Sequence, residues 1–315
     1  MDERILEAVA VLRRGGLVAV PTETVYGLAA DASQPAAVRK IFAAKGRPAD
    51  HPLIVHVAGA DALERWASEV PPEALALAAA FWPGPLTMIL PRAPHVDPMV
   101  TGGRDSVGLR VPSHPLTLAL LRAHGGGLAA PSANRFGHVS PTTAAHVRAD
   151  LGERVDLVLD GGACQVGIES TIVDLSDGAP ALLRLGAVTQ GQLEAVLGLR
   201  VPYLTGGPVK APGQLASHYA PRAHVRVVPA AAVAAERDLL VARGQRVAVV
   251  GSGPWAAFSL GRDDEAYARD LYAALRAADG DGPDWILVEA PPDGGLSTAL
   301  EDRLTRAAAP RSRET

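Results

Sequence analysis

Lys45-Gly-Arg-Pro-Ala-Asp-His-Pro-Leu53 joins a helical pattern to an apolar run, and the reading of the whole chain turns on it. Upstream, Gln34 to Ala44 puts Val38, Ile41 and Phe42 on one helical face, and the glycine after Lys45 is a helix-ending signal. Downstream, Leu53-Ile-Val-His-Val57 reads as a strand in which His56 points away from Val55 and Val57. Helix, turn and strand in succession are the repeating parts of an α/β fold. The junction is also chemically loaded. Only three lysines, Lys40, Lys45 and Lys210, stand beside 27 arginines, so a lysine so close to Arg47 is not background. An ammonium next to a planar guanidinium suits a polyphosphate. The competing reading is a helix C-terminus whose cations suit the helix dipole.

Outward from this junction, the bulk numbers bound the class. At 315 residues the chain is long enough for two domains. With 48% hydrophobic and 20% charged residues and a mean hydropathy of +0.13, it reads as a soluble globular protein. A net charge of -4 argues against holding duplex nucleic acid by bulk charge. The single cysteine, Cys164, excludes an internal disulfide and a multi-cysteine metal site, and fits a reducing compartment. The start of the chain reads as an amphipathic helix carrying Ile5, Leu6, Val9 and Leu12, and no apolar run reaches membrane length, so a cytoplasmic location is expected.

Alternation places the other elements. Leu17-Val-Ala-Val20 reads as a strand that runs into Pro21-Thr-Glu-Thr-Val-Tyr-Gly-Leu28, where Thr22, Thr24 and Tyr26 would share a side if extended. Strands are also expected at Leu86–Leu90, Val107–Val111, Leu128–Ala130, Val155–Leu159, 167–174 and Ala181–Leu185, with helices at Asp61–Trp66, Pro72–Trp82, Leu116–Leu121, from Thr142, and Gln190–Leu197. Arg110 and Arg184 each sit inside an apolar strand. Such an arginine either pairs with a protein carboxylate or waits for an anionic ligand. Pro131-Ser-Ala-Asn134 ends another strand with a hydroxyl and an amide side by side.

Residues 199–223 read as a linker rich in Gly and Pro, yet they hold Gly213-Gln-Leu-Ala-Ser-His-Tyr-Ala-Pro221, whose polar and aromatic groups suit a functional loop. Beyond it, strands at 225–228, 246–250 and 285–288 alternate with helices near 231–242, 264–277 and 298–308, which predicts a small parallel α/β domain. Gly251-Ser-Gly-Pro254 is a turn, because proline follows where a dinucleotide fingerprint needs a helix start. The first part thus offers cations and hydroxyls without a catalytic carboxylate pair, a pattern suited to a reaction between anions.

Pro21-Thr-Glu-Thr-Val-Tyr-Gly-Leu, Lys45-Gly-Arg with His51-Pro-Leu-Ile-Val-His, Trp82-Pro-Gly-Pro-Leu-Thr, Gly108-Leu-Arg-Val-Pro, Pro131-Ser-Ala-Asn and Glu169-Ser-Thr-Ile-Val-Asp, in this order, resemble the YrdC-like threonylcarbamoyl-AMP synthases. The resemblance extends through the linker into the second domain and so marks the two-domain branch. It implies an α/β fold: a YrdC-like catalytic domain at 1–198 with a twisted mixed sheet and a concave basic groove, a linker at 199–223 that folds over the site, and a smaller Rossmann-like domain at 224–315. It implies synthesis of threonylcarbamoyl-AMP from L-threonine, bicarbonate and ATP with release of pyrophosphate, the first step of threonylcarbamoyladenosine formation in tRNA. A separate complex then transfers the group to tRNA, so direct tRNA binding by this chain would be weak.

By motif position the resemblance assigns Lys45, Arg47, Ser132 and Asn134 to catalysis and, with His51, Ser106, Ser140, Arg184, His218 and Tyr219, to ATP. It assigns Thr24, His56, Arg110, Ser170 and a backbone contact at Ala130 to threonine, with magnesium expected through the phosphates rather than through named protein ligands. The reading from another class is an RNA-binding or ribosome-maturation factor that uses the same groove without chemistry. Residues 1–200 hold 17 Lys and Arg against 20 Asp and Glu, which disfavours it. A carbamoyl-transfer module is disfavoured too, because its zinc-finger segments need more than one cysteine.

Overall fold

The computed structural model describes residues 2–205 and 219–309. Among these the chain forms two compact units, the first holding 2–136, 141–165 and 169–205, the second 137–140, 166–168 and 219–309. No helix of the described residues is long and apolar enough to cross a membrane.

The first unit opens with α1 (Glu3–Arg13), β1 (Val18–Val20), β2 (Gly27–Asp31), α2 (Pro35–Lys45) and β3 (Ile54–His56). It continues through α3 (Leu63–Trp66), α4 (Pro72–Phe81), β4 (Leu86–Pro91), α5 (Pro98–Thr101) and β5 (Ser106–Arg110). Then come α6 (Pro115–His124), β6 (Leu128–Ala129), α7 (Ala144–Leu151), β7 (Leu157–Val158), β8 (Thr171–Asp174), β9 (Ala181–Arg184) and α8 (Gln190–Leu197). The strands make one mixed sheet in the order β7-β1-β2-β6-β3-β5-β4-β8-β9. Pairing is parallel for β1/β7, β3/β5 and β4/β8 and antiparallel elsewhere.

Strand alternation gives this sheet two different faces. Leu53, Val55, Val57, Leu86, Met88, Leu90, Val107 and Leu109 face the main core together with Val38, Ile41 and Phe42 of α2 and Leu77 of α4. Each such side chain, fully buried, contributes roughly 1.5–3 kcal/mol. On the opposite face, α1 and α6 cover β1, β2 and β6 through Ile5, Val9, Leu12, Leu120 and Leu121. The rest of that face belongs to β3, β5, β4, β8 and β9, and the apolar cluster there holds strand residues only: Ile54, Ile89, Ile172 and Leu183. His56 follows Ile54 on this half-face, and Arg110 follows Gly108, so the polar residues of these strands converge there.

Two details depart from the alternation read in the sequence. Thr22 to Val25 is a turn and not an extended segment: Thr22 Oγ1 accepts from the N–H groups of Thr24 and Val25 at 3.2 Å and donates to Val25 O at 2.6 Å. Tyr26 therefore diverges from the threonines and donates to Gly162 O at 2.8 Å. Strand β2 was not expected either; its glycine and alanines are all buried, so it shows no alternation.

In the second unit, β10 (His224–Val228), α9 (Val233–Ala242), β11 (Val247–Gly251), β12 (Phe258–Ser259), α10 (Asp264–Gly280), β13 (Trp285–Glu289) and α11 (Ser297–Ala308) form a wholly parallel sheet in the order β10-β13-β11-β12.

Candidate active site

The Lys45 junction is set by the end of α2. Pro35 occupies the first turn, and Gly46 at φ +64° lets the chain reverse, with Arg47 N–H donating to Phe42 O at 3.0 Å. Lys45 is buried, and its ammonium donates to the carbonyls of Ser132 and Asn134 and, at 3.3 Å, to Asn134 Oδ1. Burial, then the charge of Arg47, pulls its pKa well below the usual lysine value. The three oxygens around it oppose that shift, because only the charged form donates to all of them. Ser132 and Asn134 are thereby fixed to Lys45, and Leu28 and Ala133 tie the same loop to its neighbour: Leu28 N–H donates to Pro131 O at 2.7 Å, Ala133 N–H to Tyr26 O at 2.8 Å.

Arg47 donates to Pro52 O at 3.0 Å and lies over the Phe136 ring at 5.6 Å, while His51 meets the same ring edge-on at 5.3 Å. Phe136 N–H donates to Lys45 O at 2.9 Å. One aromatic ring thus carries the cation and the imidazole that the resemblance assigned to ATP. The sequence reading gave Phe136 no role. Burial and Arg47 hold the His51 pKa below its ordinary value.

Arg110 is buried on the other side of the sheet from the main core. Its Nη2 donates to Glu23 Oε1 at 2.7 Å and to Thr24 Oγ1 at 3.0 Å, and its Nε to Gly84 O at 3.2 Å. Glu23 also accepts from Ser113 N–H at 3.0 Å. Burial alone would raise the Glu23 carboxyl, but Arg110 and these hydrogen bonds hold it below its usual value. The open question about Arg110 therefore gains a partner, Glu23, which the sequence reading did not name. Among the described residues Nη1 takes part in no hydrogen bond, so one edge of the fork remains for a ligand.

His56 lies opposite Arg110 in the β3/β5 register. Burial, then Arg110, pushes its pKa well below 6.5, so the imidazole is neutral at pH 7. Its Nδ1 is buried with no partner among the described residues. An orphaned polar atom of this kind costs stability unless a ligand meets it. Beyond β4, Ser170 Oγ accepts from Arg184 Nη2 at 3.0 Å and lies 2.8 Å from Thr87 Oγ1, and Arg184 Nε donates to Ser170 O at 2.9 Å. Gly186 makes room for this turn: a Cβ there would lie 2.4 Å from Thr171 N and 2.7 Å from Glu169 O.

The remaining assigned residues are more scattered. Ala130 follows β6 and donates its N–H to Ile54 O at 2.9 Å. Ser106 opens β5, on the same face as Arg110 but four residues earlier. Ser140 belongs with the second unit, where its carbonyl accepts from Arg276 Nε at 3.3 Å. Tyr219 also belongs there, buried at φ +61°, stacked 5.8 Å from Tyr272 and under the Arg303 guanidinium at 5.2 Å. His218 lies outside the described residues. Glu23, Thr87, Phe136 and Gly186 were given no role by the sequence reading. Glu23 and Thr87 stood within quoted motifs, but nothing local marked them as the partners of Arg110 and Ser170.

Residues 10–186 match the Sua5, YciO and YrdC family described as Telomere recombination, and residues 188–309 match the family described as Threonylcarbamoyl-AMP synthase, C-terminal domain. The threonylcarbamoyl-AMP synthase of Pyrococcus abyssi is 45% identical over 96% of this chain and 94% of its own length. That of Bacillus subtilis is 42% identical over 98% of this chain and 94% of its own length. The crystal structure of P. abyssi Sua5 complexed with L-threonine superposes with a TM-score of 0.92 at 43% identity, covering 96% of this chain and 94% of that one.

Proposed function

Because this chain belongs to the threonylcarbamoyl-AMP synthase family, we propose that the polar half-face of its first sheet joins L-threonine, bicarbonate and ATP into threonylcarbamoyl-AMP. The chain is a threonylcarbamoyl-AMP synthase, a transferase that serves tRNA modification. The observation that carries the site reading is Arg110, whose Nε and Nη2 are held by the protein while Nη1 has no partner among the described residues.

In this reading Nη1 takes the threonine carboxylate, and Thr24 and Ser170 bracket the rest of the amino acid. Threonine must present a neutral amine to bicarbonate or carbon dioxide. His56, itself neutral, offers the unpartnered Nδ1 for that hydrogen. The carbamate oxygen then attacks the α-phosphorus of ATP, and pyrophosphate leaves. Arg47 and Arg184 supply charge along the phosphates, since a planar fork suits phosphate oxygens. Lys45 braces the Ser132 to Asn134 loop whose side chains face the nucleotide. Magnesium, when bound with ATP, would neutralise phosphate charge. Among the described residues no cluster of three His, Cys, Asp or Glu side chains could hold a metal ion.

We further propose that the product passes to a separate tRNA-modifying complex in the cytoplasm. The test is pyrophosphate release with ATP, bicarbonate and L-threonine, against omission of each. Full release is expected only with all three, and release indifferent to threonine would refute the reading.

A further inference from the structure

Hydroxyl groups in the site have countable protons, and the count assigns a role to Ser170. Thr22 Oγ1 donates to Val25 O and accepts from the N–H groups of Thr24 and Val25, which uses its proton and both lone pairs. Thr24 Oγ1, 2.8 Å away, accepts from Arg110 Nη2.

Ser170 Oγ accepts from Arg184 Nη2, and the only other partner of Ser170 Oγ among the described residues is Thr87 Oγ1. Thr87 is wholly buried within β4, and among the described residues its hydroxyl has no partner but Ser170. One proton serves the contact between the two hydroxyls, so the other has no acceptor within the described protein. A buried hydroxyl proton without an acceptor is costly. A ligand oxygen removes that cost only if Ser170 carries the spare proton, which requires Thr87 to donate to Ser170.

We propose that Thr87 is a positioning residue that turns the Ser170 hydroxyl into a hydrogen-bond donor toward an oxygen of the threonine substrate. Thr87 and Arg184 fill both lone pairs of Ser170, and its O–H points at the substrate. The substrate then meets a hydrogen-bond donor at Ser170. This inference rests on the assignment of Ser170 to threonine given above.

The test compares Thr87→Val, which keeps the shape and removes the hydroxyl, with Thr87→Ser, which restores it. Loss of one oriented hydrogen bond raises the threonine KM roughly tenfold in Thr87→Val. The ATP affinity and the thermal midpoint stay at the wild-type values, and Thr87→Ser recovers the wild-type threonine KM. Because Thr87 acts through Ser170, Thr87→Val added to Ser170→Ala costs nothing further. A double variant whose losses multiply would overturn the inference, as would a wild-type threonine KM in Thr87→Val while Ser170→Ala is impaired. If Ser170→Ala itself keeps the wild-type threonine KM, the assignment of Ser170 fails and the role of Thr87 falls with it.

Discussion

Replacing Arg110 by methionine separates the two things this residue does. The Arg110–Glu23 pair is buried at 2.7 Å, with side chains 5% and 7% exposed, so removal of the guanidinium strands a carboxylate in a site with little water. Breaking a buried pair from one side costs about 3–5 kcal/mol. At roughly 2–4 °C per kcal/mol for a unit of this size, the thermal midpoint falls by roughly 6–20 °C. The loss has a pH signature. In the wild type the Glu23 pKa is depressed, so its contribution is present above the unfolded carboxylate value and lost as pH falls through the folded one. In Arg110→Met, burial, the largest influence on Glu23, is opposed only by backbone hydrogen bonds and raises that pKa, so the folded variant gains relative stability as pH falls. The gap between the two proteins therefore narrows from pH 8 to pH 5. Adding Glu23→Gln removes the stranded charge and recovers most of the midpoint at pH 7. Neither variant recovers threonine binding, which weakens roughly 10- to 150-fold for loss of a charged hydrogen bond. Thermal melts and threonine titration calorimetry measure the two effects. An unchanged midpoint in Arg110→Met, or wild-type threonine affinity in the double variant, would refute the reasoning.

Three further outcomes are expected. Lys45→Met leaves the carbonyls of Ser132 and Asn134 without their donor, so it lowers stability by about 1–3 kcal/mol per stranded group and weakens ATP binding together; a variant that melts like the wild type would leave Lys45 no bracing role. Gly186→Ala drives a Cβ to 2.4 Å from Thr171 N and displaces Ser170, so turnover falls on the order of 100-fold, whereas Gly191→Ala, with nothing within 4 Å, keeps full activity as the control. The depressed His56 pKa means that the unfolded chain takes up this proton first as pH falls. Its contribution is complete above pH 6.5 and declines below it by up to about 1.4 kcal/mol per pH unit, so His56→Gln flattens the stability profile between pH 6.5 and 5 in denaturant titrations; an unchanged slope would contradict a buried neutral imidazole.

What could be read from the sequence was local. Alternation in Leu53-Ile-Val-His-Val57 and in Val107-Gly-Leu-Arg-Val111 already separates core-facing residues from His56 and Arg110, and the structure keeps that separation. Helix α8 has the bounds expected for it, because Thr189 caps it with Gln192 in a capping box and Gly198 ends it at φ +67°. Strand β2 escaped because burial on both faces erases alternation. The site eluded local reading for a different reason. The oxygens around Lys45 lie 87 and 89 positions away, Glu23 lies 87 from Arg110, and Thr87 lies 83 from Ser170. Partners so distant are brought together by the sheet order, in which β4 separates β5 from β8, and that order has no short-range signature.

Arg110 shows why the two readings of an arginine in an apolar strand were not alternatives. A guanidinium has five donors in a rigid plane, so a carboxylate can hold one edge while another edge stays open. Without a partner, a buried arginine would be prohibitively costly whenever the ligand is absent. With Glu23 bonded to Nη2 and Gly84 to Nε, the side chain is charge-balanced and oriented before any ligand arrives. Binding then needs no side-chain ordering, which is part of what preorganisation contributes to affinity. The same logic extends to Lys45, anchored on Ser132 and Asn134, and to Ser170, held by Arg184 and Thr87. Arg110, Lys45 and Ser170 are each held by a protein partner distant in sequence, so removing a partner such as Glu23 or Thr87 disturbs the residue it holds.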